Sequence, residues 1–217
     1  MEKPPIPTEH TETIRKWLGS GAINIFGLPF AGKDTHGRQL AELLDAPLLS
    51  SGDVFRASRD ILTPEDLATL DSGGLPPSDV FLKLFTPYFE KTEFAGRPLI
   101  LSSVGRWLGE EVGVLNAAER SNHPIKAVVY LHLAEDQVHT RFLKSKELQD
   151  RGERHDDEEH KLDKRIDEFN QKTIPVVEEY RKRGLLIEVN SDAPKDEVFD
   201  NIIARLFMIA SRDFKAN

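Results

Sequence analysis

The stretch Gly27-Leu28-Pro29-Phe30-Ala31-Gly32-Lys33-Asp34-Thr35 constrains this chain more than any other. It lies between a short apolar run, Ala22 to Phe26, and a segment of helical pattern from Thr35 to Leu44. Two glycines in this spacing, the second followed by lysine, form a phosphate-binding loop when a hydroxyl residue comes next. Here Asp34 comes next and the hydroxyl arrives one place late, as Thr35. Such a loop turns successive backbone N–H groups toward an anion, with the positive end of a helix behind them. Lys33 would then reach the β- and γ-phosphates as a point charge. A tight strand-to-helix turn with an exposed lysine has the same local sequence, so the loop alone leaves both readings open.

The rest of the chain supplies a setting. Ala46 to Leu49, Pro98 to Leu101, Ala127 to Leu131 and Leu185 to Val189 are further short apolar runs, separated by helical segments. Thr8 to Leu18 reads as a helix capped by Thr8 and stopped by Gly19. Thr63-Pro64-Glu65-Asp66 is a helix start, closed by Gly73-Gly74. Pro76-Pro77-Ser78 starts another helix that runs to Lys91, and Asp196 to Ile209 is amphipathic. Buried strands alternating with helices predict an α/β fold, a five-stranded parallel sheet flanked by helices. Ligands of such sheets bind at the carboxyl ends of the strands, where the glycine loop falls.

A chain of 217 residues suits one domain. Its net charge of −8 argues against nucleic acid as a partner. With no cysteine there is neither a disulfide framework nor a thiolate metal site. The N-terminus lacks the basic start and apolar run of a signal peptide, and no apolar stretch has the length of a membrane span. A cytoplasmic protein without membrane contact is expected.

A second motif, Ser50-Ser51-Gly52-Asp53-Val54-Phe55-Arg56, follows the second apolar run. Together with the glycine loop it resembles the adenylate kinase group of nucleoside monophosphate kinases, in its short-lid form. The resemblance continues in order along nearly the whole chain. It takes in Asp71-Ser72-Gly73-Gly74-Leu75, Leu101-Ser102-Ser103-Val104-Gly105-Arg106 and Arg154-His155-Asp156-Asp157. It then takes in Lys164-Arg165-Ile166 and Thr173-Ile174-Pro175-Val176. For any one of these arginines a solvated surface position is the simpler reading, and only the ordered set outweighs it.

The resemblance implies a phosphate-loop NTPase fold with a single kinase domain over 1–217. A small monophosphate-binding insertion is expected at 53–77 and a short lid at 146–157. It implies reversible transfer of a phosphoryl group from ATP, with Mg2+, to a monophosphate, AMP before others, by a monomer. By position, Gly27, Pro29, Gly32, Lys33, Asp34, Thr35 and Arg141 would bind ATP. Ser51, Arg56, Gly73, Leu75, Arg106 and Glu110 would bind the acceptor, and Lys33, Arg106, Arg154 and Arg165 would serve the transfer. His155 and His160 lack metal spacing, so no zinc lid is read.

Four departures bear on chemistry. Phe30 and Asp34 stand where the family has glycines, Ser102 replaces the third-strand aspartate that orients magnesium-bound water, and Gly105 replaces a proline. Carboxylates are good magnesium ligands. Asp34 could thus supply the carboxylate lost at Ser102, working with Asp53, or it could cap the helix or meet a lysine. Glu110 stands where the family reads adenine with glutamine; a carboxylate only accepts, which suits the adjacent donors of guanine, so GMP is the expected second acceptor. Glu110 could instead pair with Arg106, one helical turn away. The rival function is a nucleotide-binding protein on the same fold with weak or no catalysis. A small GTPase or motor ATPase would leave the Ser-Gly-Asp-x-x-Arg segment unexplained.

Overall fold

A computed structural model of the chain describes residues 6–148 and 159–216. Five strands, β1 (Ala22–Gly27), β2 (Leu48–Ser50), β3 (Leu99–Ser102), β4 (Ile125–His132) and β5 (Leu186–Asn190), form one sheet. Its order is β2-β3-β1-β4-β5 and every pairing is parallel. Strand β1 is buried along its whole length, as the central strand of a sheet covered on both faces must be.

Ten helices cover the sheet or extend from it among the described residues: α1 (Thr8–Leu18), α2 (Lys33–Leu44), α3 (Ser51–Ala57), α4 (Pro64–Asp71) and α5 (Ser78–Phe89) in the first half. The second half adds α6 (Glu110–Arg120), α7 (Glu135–Leu148), α8 (Glu159–Glu168), α9 (Ile174–Lys182) and α10 (Lys195–Ala216). A π-helical turn, Phe169–Thr173, joins α8 to α9. No described helix is long and apolar enough to cross a membrane.

The sheet order positions the site. From β1 the chain moves over β3 to β2, and from β3 it moves over β1 to β4. Right-handed crossovers in opposite directions put their helices on opposite faces. The loops leaving β1 and β3 therefore diverge and open a crevice between two adjacent strand ends.

Several boundaries differ from the sequence reading. Strand β2 begins at Leu48 rather than Ala46 because Pro47 has no N–H to pair; its carbonyl accepts from Ile100. Helix α1 has the expected span, but Pro7 occupies the cap position and Thr8 is its first residue, without a side-chain cap. Helix α2 starts two residues early, directly from the glycine loop. Helix α10 continues past Ile209 because α1 packs along it: Trp17 Nε1 donates to Asp213 at 2.9 Å, and His10 stacks on Phe207 with centroids 3.9 Å apart. The Thr63 start is as expected, a reciprocal Thr63–Asp66 capping box with Pro64 in the first turn.

One polar residue in β1 ties the crevice together. Asn24 is fully buried. Its Nδ2 donates to the Val104 carbonyl at 2.7 Å and its Oδ1 accepts the Val104 N–H at 3.3 Å. One amide thus replaces the strand pairing that ends at Ile25–Ser102 and fixes the loop leading to Arg106. Asn24→Ala strands the Val104 N–H and carbonyl away from water and should destabilise the fold by about 2 kcal/mol. That corresponds to roughly 4–8 °C in Tm for a chain of this size, measurable by thermal unfolding.

Candidate active site

The crevice opens into a cleft of about 1390 Å³ at the carboxyl ends of the strands. Ligand clefts are commonly roughly 300–1,000 Å³, so this one has room for two ligands of nucleotide size. Nine lysines and arginines line it against three aspartates, in a chain of net charge −8. An anionic ligand is the chemical complement of such a surface.

The glycine loop forms one wall. A β-carbon at Gly27 would sit 2.8 Å from the Leu131 carbonyl oxygen, so no larger residue fits there. Gly32 turns the chain into α2 with φ 90°. The Lys33 ammonium folds back into the loop and donates to the carbonyls of Gly27 and Leu28, each at 2.7 Å. Pro29, Asp34 and Thr35 line the same wall. Ser102 Oγ donates to Asp34 Oδ1 at 3.4 Å, so the carboxylate gained on the loop lies beside the position where the third strand carries serine.

Two residues here hold backbone conformations that favour glycine. Phe30 has φ 62° and Ser103 has φ 56°. Each such residue stores about 1–2 kcal/mol of strain, and strain of this kind gathers at functional sites. Packing holds both in place. The Phe30 ring meets Phe142 of α7 edge-on at 5.6 Å and its carbonyl accepts from Arg141 at 3.2 Å; the Ser103 carbonyl accepts from Ser51 Oγ.

The opposite wall comes from the insertion between β2 and β3 and from α8. Arg56 pairs with Asp53 at 2.5 Å, and Arg59 with Asp71 at 2.9 Å. Gly73 packs directly on α8: a β-carbon there would lie 3.1 Å from Arg165 Cγ and 3.2 Å from the Lys161 carbonyl. Lys164 Nζ also donates to Ser72 Oγ at 2.6 Å. Between the walls sits Arg106. Burial first, then the neighbouring Arg165, push its guanidinium down to about 10, while Glu168 and Glu110 act the other way. It remains charged at neutral pH, and its buried Nε has no hydrogen-bond partner.

Every expected site residue among the described ones lines this cleft except Glu110. Of the lid expected over 146–157, residues 146–148 end α7; the remainder, with Arg154, lies outside the described residues. The sequence reading missed Arg38, Arg59, Lys144 and Lys161, which also line the cleft. Helical spacing was the available signal for two of them: Arg38 follows Asp34, and Lys161 precedes Arg165, by one turn.

The adenylate kinase family model matches residues 25–185, about three quarters of the chain. The chain belongs to the adenylate kinase family. It is similar to the adenylate kinase of Thermus thermophilus, 30% identical over 188 residues that cover 85% of this chain and 96% of the relative. The adenylate kinase of Clavibacter michiganensis is 30% identical over 185 residues, covering 84% and 90%. That of Cyanothece sp. is 29% identical over 177 residues, covering 80% and 89%. The fold is that of the phosphate-loop kinases, and the protein is a nucleoside monophosphate kinase.

Within this family member, Glu110 stands apart from the main cleft, in a small pocket beside it lined by Ser51, Phe55, Leu75, Arg106 and Trp107. That pocket holds about 10 Å³, room for one water and not for a base, so a base could enter only if the walls parted. Glu110 braces the loop after β3. Its Oε2 accepts the backbone N–H of Arg106 at 2.6 Å and of Trp107 at 2.9 Å, so its bond to Arg106 is to the main chain. Oε1 is buried without a hydrogen bond of standard geometry, although Ser78 of α5 acts on the carboxyl as well.

Burial raises the Glu110 carboxyl above its ordinary value, against the pull of those N–H groups, Ser78 and the Arg106 charge. A carboxyl raised by folding contributes stability that is complete at low pH and is lost as pH rises through its folded value. Glu110→Gln keeps an acceptor for the two N–H groups and removes the buried charge. Its Tm relative to wild type should therefore climb as pH is raised from about 4 to neutrality, the range above an ordinary glutamate. Thermal unfolding across that range checks it; a gap that shrinks with pH contradicts it.

Proposed function

We propose that this kinase is a magnesium-dependent adenylate kinase that moves the γ-phosphoryl group of ATP to AMP. The observation that carries the reading is the convergence of nine cations on one cleft of two-nucleotide size, with the glycine loop on one wall and Arg56, Arg106 and Arg165 across from it. A protein that merely bound one nucleotide would have no use for cations on both walls.

In this reading an acceptor phosphate oxygen attacks the γ-phosphorus in line, and the oxygen bridging the β- and γ-phosphates leaves with ADP. Positioning and charge neutralisation supply the catalysis. The backbone N–H groups of the loop and Lys33 hold the donor phosphates, and Arg141 lies along the donor side. Arg56 and Arg106 hold the acceptor phosphate, with Ser51, Gly73 and Leu75 around its nucleoside. Arg165, with Arg154 from the segment 146–157, spans the transferring group, and residues 53–77 act as the acceptor-binding unit.

The donor set fits magnesium. That ion takes one or two carboxylates, keeps several waters and draws its other ligands from substrate phosphates. Asp34 and Asp53 line the cleft together, and the described residues hold no cluster of three acidic or histidine groups that would make a protein-only cage. Asp34 beside Ser102 supports a carboxylate moved from the third strand to the loop. Bound between protein and ATP, the ion would neutralise developing charge on the β- and γ-oxygens.

GMP stays the second acceptor on the sequence position of Glu110 alone, since its carboxyl is bound to the Arg106 and Trp107 N–H groups and meets a base only if the small pocket opens. A coupled assay with ATP and Mg2+ against AMP, GMP, CMP, UMP and dTMP tests both statements. AMP should be fastest and GMP next; no turnover with any of the five leaves a nucleotide-binding protein instead. Lys33→Ala should lower kcat/KM by about a hundredfold or more, as loss of a preorganised cation in a desolvated site does. Thermal unfolding should show the variant still folded, and unchanged turnover would remove the phosphate-loop assignment. Asp34→Asn should weaken Mg2+ affinity in the presence of a non-hydrolysable ATP analogue more than it weakens the analogue itself. Titration calorimetry separates the two, and an equal or absent effect would make Asp34 a structural residue.

A further inference from the structure

Glu168 ends α8, and Lys172 follows one helical turn later inside the π-helical segment. Their charged groups meet at 2.5 Å, in an ionic contact out of line for a directed hydrogen bond. Both side chains are largely buried, with 16% and 23% of their surfaces exposed. The Lys172 ammonium also sits 4.0 Å from the centre of the Trp107 ring. Each contact is of a kind that strengthens when water is excluded. Widened π turns are rare and recur at functional sites.

Trp107 is the residue after Arg106, and the two share the Glu110 brace on their N–H groups. The dipeptide is thus held on its main chain from α6 and on its indole from the π turn. We propose that Glu168 and Lys172 are positioning residues for Arg106, fixing its direction and balancing its charge before the acceptor phosphate arrives. The inference rests on the acceptor-binding role assigned to Arg106 above.

The electrostatics give the pair its purpose. Arg106 and Arg165 must stay close if they are to share an anion, and they repel each other while no anion is present. The charges that act on Arg106 are Arg165 and Glu168 from α8 and Glu110 from the start of α6, and Glu168 is the stronger of the two acids. Lys172 faces Glu168 in turn and prevents that carboxylate from swinging onto Arg106 and occupying the donors the phosphate needs. A short lysine–glutamate pair on one side leaves the guanidinium charged, aimed and unoccupied, which is preorganisation in the sense that matters for binding an anion.

The test compares Glu168→Gln, Lys172→Met and Lys172→Arg with wild type. Steady-state kinetics are run from pH 7 to the alkaline side of 10, and AMP binding is followed by calorimetry without ATP. Glu168→Gln and Lys172→Met should each weaken AMP, in KM and in the binding isotherm, by about tenfold, the effect of one well-placed charged contact. The KM for ATP should not move, and Lys172→Arg should restore most of the loss. In Glu168→Gln the alkaline limb of kcat/KM for AMP should also shift to lower pH, because the lost carboxylate had raised Arg106. In Lys172→Met it should not shift downward. Equal losses for ATP and AMP would mean a merely structural pair, and wild-type AMP affinity in both variants would overturn the proposal. If Glu168→Gln does not fold, Lys172→Met and its arginine counterpart decide the matter. Wild type that binds AMP but turns over no monophosphate would sink the proposed function, while the isotherms would still judge the positioning role.

Discussion

Like-charge crowding is the constraint on which the rest of this structure depends. Nine cationic side chains surround one cleft in a protein that is acidic as a whole. Each must be kept charged, kept from its neighbours and kept available. Nearby carboxylates hold Arg56 and Arg59, loop carbonyls hold Lys33 and Arg141, and Arg106 is held in the fields of Glu168 and Glu110. Exposed pairs such as Arg56–Asp53 contribute little to stability, since solvent screens them.

The backbone solves the complementary problem of placing these groups. Asn24 in the central strand carries the pairing of β1 one step beyond its last residue on β3 and sets the loop that bears Arg106 and Trp107. Glu110 then braces that loop from the other side with a buried carboxyl. Phe30 and Ser103, each in a left-handed conformation, sit at the two strand ends that open the crevice. Strain, buried charge and buried amide hydrogen bonds therefore gather within a few residues of where the phosphates would lie. Rigid placement of this kind lets fixed dipoles and charges act without reorganising during a reaction.

Two of the departures from the family pattern meet in space. Asp34 on the loop accepts a hydrogen bond from Ser102 on the third strand at 3.4 Å. Phe30, in place of a glycine, gains an aromatic neighbour in Phe142 and lends its carbonyl to Arg141.

The sequence by itself determined the sheet, the glycine loop, and half of the residues that line the cleft. Short apolar runs separated by helical patterns specify buried parallel strands, and spacing within ordered motifs survives without knowledge of contacts. Where local chemistry set an element's end, as in the Thr63–Asp66 box or at Gly19, the boundary was legible too. Only the tertiary structure decided the extra turns of α10, which depend on α1 lying alongside, and the π turn that brings Lys172 over Trp107. It also decided that Glu110 binds backbone N–H groups rather than the Arg106 guanidinium, and that Arg59 joins the cleft paired with Asp71. The physical reason is common to all of these. Burial and charge pairing depend on which surfaces meet, and residues such as Trp107 and Lys172 meet only after the sheet has brought distant helices together.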